Sequence, residues 1–170
     1  MSVLKSKVLY KLGDNVSTDD MTPGKYMSAL TPEEWHTIAF YDIDPDFPKK
    51  MKAGGILIGG KNFGCGSSRE AGPTALIGAG VKAVIAEDYA RIFYRNALNI
   101  ALPLIECPEI SKKVELNDEL EIDYTTGIIT NVTKKETYQG IPIPPFLMEK
   151  IEAGGLLNIL RERAKKGEFQ

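Results

Sequence analysis

The chain has 170 residues, and at roughly 150 residues per domain this is a single domain, which excludes a large multi-domain enzyme. Its composition, 43% hydrophobic and 26% charged with 21 basic against 23 acidic side chains, is that of a soluble globular chain and offers neither a basic footprint for nucleic acid nor a polybasic membrane patch. Two cysteines, Cys65 and Cys107, and one histidine, His36, are too few for an iron-sulfur cluster or a zinc site built from this chain alone, and they exclude a disulfide framework and any mechanism needing two imidazoles.

In chain order, MSVLKSKVLYKLG alternates apolar and polar residues and predicts a first strand, not a signal peptide. With no run approaching eighteen apolar residues either, the expectation is a cytoplasmic protein with reduced thiols. Residues 14–52 differ: GDNVSTDDMTPGKYM reads as a polar loop, TPEEWHTIAF as a short helix with a Thr31/Glu34 capping box, and DIDPDFP as an acidic, Pro-rich joint. A segment so long without strong periodicity suggests a mobile substrate loop.

From Ala53 onward strand and helix patterns alternate, as expected of an α/β fold with parallel strands and helical crossovers. GGILIGG (54–60), VKAVIAE (81–87) and ALPLIE (101–106) are candidate buried strands. PTALIGAG and DYARIFYRNALNI are the helices between them, the second with Tyr89, Ile92, Phe93, Ala97 and Ile100 on one face and Asp88 as its cap. Beyond Pro108, VELNDELEIDYTTGIITNVTKKETYQG predicts an antiparallel hairpin turning at 125–127. PPFLMEKIEAGGLLNILRERAKKG predicts an amphipathic helix weakened at Gly154-Gly155.

Ligands of open α/β sheets bind beyond the carboxyl ends of the parallel strands, which directs attention to KNFGCGSSRE, residues 61–70. Within it lie two glycines, two hydroxyls, a thiol and a guanidinium, just ahead of a helix N-terminus. Pro73 favours starting that helix near 71–73, leaving Ser67, Ser68 and Arg69 on an exposed turn. A dinucleotide fingerprint fails at Arg69, a P-loop lacks Gly-Lys-Ser/Thr, and no G-x-S-x-G elbow is present. A serine hydrolase would need His36 as base, yet His36 sits beside Trp35 in a helix pattern typical of packing or surface histidines. The purely structural reading has Ser67 and Glu70 as a capping box and Arg69 paired with a surface carboxylate.

KNFGCGSSRE, with STDDMTP before it and AVIAEDYARIFYRNALNIALPLI behind it, closely resembles the swivelling domain of the aconitase superfamily. More narrowly, it resembles the separate small subunits of 3-isopropylmalate dehydratase (isopropylmalate isomerase) and of homoaconitase. The resemblance extends through DPDFPKKMKAGG to the closing AGGLLN. It implies a β/β/α swivelling domain with a parallel βαβ core, a C-terminal hairpin and a helix. It also implies a hydro-lyase active only with a large subunit that carries the 4Fe-4S cluster, this chain binding no metal itself. Removal and re-addition of water on 2-isopropylmalate, a step toward leucine, is the implied reaction.

By the same resemblance Ser67 is the catalytic base, working as an alkoxide stabilised by Gly-rich-turn amides and by Arg69, and Ser68 and Arg69 hold a substrate carboxylate. Asp19 of the Thr18-Asp19 step assists acid-base chemistry, where the alternative is a turn aspartate bonding its own backbone. Tyr26, Met27 and Ser28 fall in the loop that distinguishes malate derivatives. Its lack of arginine argues against a carboxylated side chain such as that of homoaconitate and leaves isopropylmalate and dimethylmalate open. A non-catalytic binding module of the same fold has no need of the intact Ser67-Ser68-Arg69 triplet.

Overall fold

The computed structural model of the chain describes residues 3–168. Strand β1 (Val3–Lys11) is followed by one-turn helices α1 (Thr18–Met21) and α2 (Gly24–Met27), a 3-10 helix (Pro32–Ile38) and α3 (Phe47–Met51). Next come β2 (Gly55–Ile58), α4 (Ala71–Ala79), β3 (Val81–Ala86), α5 (Arg91–Asn99), β4 (Leu104–Glu106) and α6 (Ile110–Lys113). Strands β5 (Glu119–Asp123), β6 (Ile128–Asn131) and β7 (Glu136–Gln139), then helices α7 (Pro145–Glu152) and α8 (Leu156–Lys165), complete the chain.

All seven strands join one mixed sheet in the order β4-β3-β2-β1-β5-β6-β7. β1 belongs to both halves. Val3–Lys7 pair antiparallel with β5, and Val8–Lys11 pair parallel with β2, with a register irregularity between Val8 and Tyr10. The parallel half, β2-β3-β4, is the expected βαβ core.

Strand β2 is apolar throughout and β3 is so except at Lys82, because both faces are covered. Ile56, Ile58, Ile85 and Ile105 point into one core with Val8, Leu120, Ile122 and Met148. Leu57, Val84 and Leu104 point into the other with Phe40, Phe47, Phe63, Leu76 and Phe93. Each such side chain, fully withdrawn from water, contributes roughly 1.5–3 kcal/mol. The period of two, invisible in a continuous apolar run, is restored by having two cores.

Several expectations need correction. GDNVSTDDMTPGKYM, expected as a polar loop, contains the one-turn helices α1 and α2, and residues 14–52 place Met21, Phe40, Phe47 and Met51 in the core at zero exposure. The Thr31/Glu34 capping box forms, on a 3-10 helix. Asp88 does not cap α5, because its Oδ1 accepts the Asn62 N–H at 2.6 Å and Ala90 occupies the N-cap. Ile92 lies half exposed on the solvent side of α5. The hairpin is a three-stranded meander, since Val132–Lys135 make a second turn. The last helix is two helices, because Gly154 (φ 73°) and Gly155 (φ 115°) adopt left-handed backbone that ends α7.

Candidate active site

The two motifs far apart in sequence are stitched together by backbone. Gly64 N–H donates to Val16 C=O at 2.7 Å and Thr18 N–H to Cys65 C=O at 2.8 Å, a short parallel bridge between residues 16–18 and 64–66. Gly66, at φ 100°, then turns the chain, and a Cβ there would stand 3.2 Å from Thr18 Oγ1. That close approach lets the buried Thr18 hydroxyl accept the Ser67 N–H at 2.8 Å.

α1 is capped by a box in which Ser17 Oγ accepts the Asp20 N–H at 3.0 Å, while Asp20 Oδ2 accepts from Ser17 N–H and O–H, both at 2.7 Å. Asp20 is thus the turn aspartate occupied with its own backbone. Asp19, its neighbour, is exposed and makes no hydrogen bond or ion pair among the described residues. The cap therefore aims Asp19 outward beside the serine turn.

Ser67 Oγ accepts two hydrogen bonds from one residue, the Arg69 backbone N–H at 3.2 Å and the Arg69 Nε–H at 3.1 Å. These are donors aimed at an oxygen, one of them cationic, and they favour the anionic form of that oxygen. Of the amides of the Gly-rich turn, that of Gly64 is already used by Val16. The capping box between Ser67 and Glu70 does not form, and Glu70 is an N-cap without a side-chain bond. Arg69 forms no ion pair among the described residues, so its terminal guanidinium nitrogens remain open. Asn96 on α5 braces the turn from behind by donating Nδ2–H to Ser68 C=O at 2.7 Å.

These groups line one shallow cavity of ≈ 10 Å³, walled by Thr18, Asp19, Thr22, Met27, Ser67 and Arg69, about enough for one water. Four of the seven residues singled out in the sequence, Asp19, Met27, Ser67 and Arg69, meet there. The other three do not line it. Tyr26 turns its hydroxyl to Asp42 Oδ1 at 3.0 Å and its ring edge-on to Tyr41, Ser28 is an exposed C-cap of α2, and Ser68 contributes its carbonyl to Asn96. Thr18 and Asn96 as positioning groups went unread. An asparagine inside a helix, where its side chain competes with the backbone, was the available signal for Asn96.

The remaining candidates lie elsewhere. His36 Nδ1 is 2.8 Å from Glu33 C=O and its ring packs on Gly78, away from the cavity. Cys65 Sγ donates to Asn15 C=O at 3.5 Å, and Cys107 is buried against Gln139 C=O, its thiol pushed up by desolvation. Both are free thiols. Among the described residues no group of three His, Cys, Asp or Glu side chains is placed to hold a metal ion, so these residues do not fit an iron-sulfur cluster. No described helix is long and apolar enough to cross a membrane.

A mixed sheet with a parallel βαβ core whose carboxyl edge presents a Ser-Ser-Arg turn is the arrangement of the aconitase swivelling domain, and the chain belongs to the aconitase C-terminal domain family, whose model matches residues 7–109. It is similar to several small subunits. It is 51% identical over 98% of its length to the isopropylmalate/citramalate isomerase small subunit of Methanocaldococcus jannaschii, covering 99% of that protein. It is 48% identical over 90% to a 3-isopropylmalate dehydratase small subunit of Brachyspira hyodysenteriae, of which it covers 94%. A 2,3-dimethylmalate dehydratase small subunit of Eubacterium barkeri is 45% identical over 92% of this chain and 96% of its own length. The crystal structure of 3-isopropylmalate dehydratase from M. jannaschii superposes with a TM-score of 0.88 at 38% identity, over 98% of both chains.

Proposed function

We propose that the chain is the small subunit of a cytoplasmic heteromeric hydro-lyase that converts 2-isopropylmalate to 3-isopropylmalate by dehydration and rehydration. A large partner subunit holds the 4Fe-4S cluster, which this chain's own residues do not fit. The observation that carries the reading is the pair of Arg69 donors on Ser67 Oγ, 3.1 and 3.2 Å away. A serine hydroxyl is a poor base in water, and a base strong enough to take the weakly acidic proton beside a carboxylate must have its oxyanion stabilised before substrate arrives.

In this reading Ser67 Oγ, as alkoxide, removes the proton from the carbon next to a substrate carboxylate and becomes the neutral hydroxyl. The electron pair of the broken C–H bond forms the double bond as hydroxide leaves the neighbouring carbon. In the hydration half of the reaction hydroxide adds to the carbon that lost the proton, the double bond's electron pair takes up the Ser67 proton at the carbon from which the hydroxyl first departed, and Ser67 is again the alkoxide. Arg69, fixed by its Nε bond to Ser67, presents its outer nitrogens to the carboxylate, so clamp and base move as a unit. Asp19, unbonded and exposed at the cavity wall, exchanges protons with groups on the opposite side. Met27 supplies an apolar wall, which suits an alkyl substituent and lacks the cation a third carboxylate would need.

The test uses the chain combined with its anaerobically reconstituted large subunit. Ser67→Ala is expected to lower kcat by at least about 10³-fold while complex formation, followed by size-exclusion chromatography, is unchanged. Turnover near wild type in that variant overturns the assignment of the base.

A further inference from the structure

The free face of α5 links the serine turn to the C-terminal helices. Phe93, Ala97 and Leu98 point into the core, while Arg91, Ile92 and Arg95 lie on the opposite arc. At one edge of this arc Asn96 bonds the Ser68 carbonyl, and at the other Asn99 Oδ1 accepts from Lys150 Nζ of α7 at 2.8 Å. Between α5 and α7 opens a groove of ≈ 440 Å³ whose walls include Tyr94, Arg95, Leu98, Phe146 and Leu147. Ile92 is 50% exposed and Phe146 66%.

The charges on this surface are unanswered. Of the five arginines, Arg163 pairs with Glu168 and Arg161 bonds Asn158. Arg69, Arg91 and Arg95 have no ion pair among the described residues. A chain of net charge −2 thus leaves one guanidinium unpaired at the serine turn and two on the exposed arc of α5, which also carries Ile92, while Phe146 lines the groove with Arg95. Exposed arginine and aromatic side chains that form no ion pair within the chain are what interface cores select.

We infer that the Arg91, Ile92 and Arg95 face of α5, together with Phe146, docks the large subunit on an acidic surface with an apolar pocket for Phe146. This rests on the proposed split enzyme. The occupant follows from continuity: a cavity of ≈ 10 Å³ cannot enclose a malate derivative, so the partner must close over Arg69, and the α5 arc adjoins that turn through the Asn96 bond. A second copy of this chain is the poorer fit, because a two-fold contact would set like-charged arcs against each other.

The test titrates the full-length chain into reconstituted large subunit and reads 2-isopropylmalate turnover, giving an apparent Kd and a kcat at saturation. Arg91→Glu with Arg95→Glu is expected to raise Kd at least about 100-fold, and Phe146→Ser about tenfold, with kcat at saturation within about two-fold of wild type. Arg161→Glu on α8 is the control and should change neither. Circular dichroism establishes that each variant is folded, as expected for exposed positions. If the wild-type pair is active and the charge-reversed chain assembles with unchanged Kd, the docking face is wrong. If kcat falls at unchanged Kd, the face serves the chemistry and the inference is equally overturned. Concentration-dependent self-association of wild type that Arg91→Glu with Arg95→Glu abolishes, with Kd for the large subunit intact, assigns the face to a second copy and also overturns it. Failure of the wild-type pair to turn over at all sinks the proposed function itself.

Discussion

Ser67 is placed by bonds to three different segments. Its amide is held by Thr18, its hydroxyl oxygen is held by Arg69, and the carbonyl after it is held by Asn96. The Thr18 contact joins the two motifs most directly, which makes it testable apart from the chemistry. Thr18→Val keeps the shape and removes the acceptor, leaving the Ser67 N–H unpaired at a cost of about 1–3 kcal/mol. The expected result is a drop in kcat of ten- to a hundredfold with KM changed less, because a displaced base loses alignment before it loses substrate affinity. Steady-state kinetics of the assembled complex check this, and an unchanged kcat would show that Thr18 is only core. Arg69 and Ser67 were readable as a pair of residue types in the sequence; that the arginine bonds the serine's own oxygen was not, since a two-residue separation on an irregular turn dictates no side-chain direction.

At the scale of elements, the antiparallel half is pinned by Asp118 at the entry to β5. Its carboxylate is nearly buried and accepts from Glu115 N–H at 2.9 Å and Asn131 Nδ2–H at 2.7 Å, with Lys134 Nζ 3.5 Å away. Desolvation works to raise its pKa, but these bonds together with Lys134 outweigh that and hold the group below the usual carboxylate value. A depressed folded-state pKa stabilises the fold above the unfolded value of about 3.9 and ceases to do so as pH falls through the folded value. Chemical denaturation between pH 7 and pH 2.5 should therefore show a loss of stability below about pH 4 that is smaller in Asp118→Ala. At neutral pH that variant should be less stable by about 1–3 kcal/mol, its donors left unpaired. An identical acid limb in both proteins would exclude Asp118 as the source.

Elements with strong local signals were legible: the three apolar strand runs, the Pro73-directed start of α4 and the Thr31/Glu34 cap all stand where their residues predict. The errors have one physical origin. Local pattern makes Asp88 a cap and GDNVSTDDMTPGKYM a polar loop, whereas partners distant in sequence decide both: Asn62 claims the carboxylate, and the core draws in Met21. Gly154-Gly155, read as a weak point in one helix, became a break because both residues take a backbone conformation that only glycine adopts readily.

For the whole molecule, incompleteness is the governing property. A site of ≈ 10 Å³ with its arginine open to solvent lacks the enclosure that ligand pockets provide. Isothermal titration of the chain alone with 2-isopropylmalate should detect no binding up to about 1 mM, the level at which an affinity carries only about −4 kcal/mol. The same solution should show no dehydratase activity until the large subunit is added. Submillimolar binding by the isolated chain would show the site to be complete without a partner.

What the sequence by itself determined was self-insufficiency and the chemical kit: two cysteines, one histidine and the ordered Ser67, Ser68 and Arg69 turn after an apolar strand. These are matters of residue identity and local order, which a linear chain carries in full. Only the tertiary structure decided that Asp19 and Met27 share a wall with Ser67, that the Ser68 carbonyl is held by Asn96, and that Arg91 and Arg95 form no ion pair among the described residues. Those outcomes depend on which distant segments the two cores bring together, because burying apolar area chooses the neighbours, and the neighbours choose the hydrogen bonds.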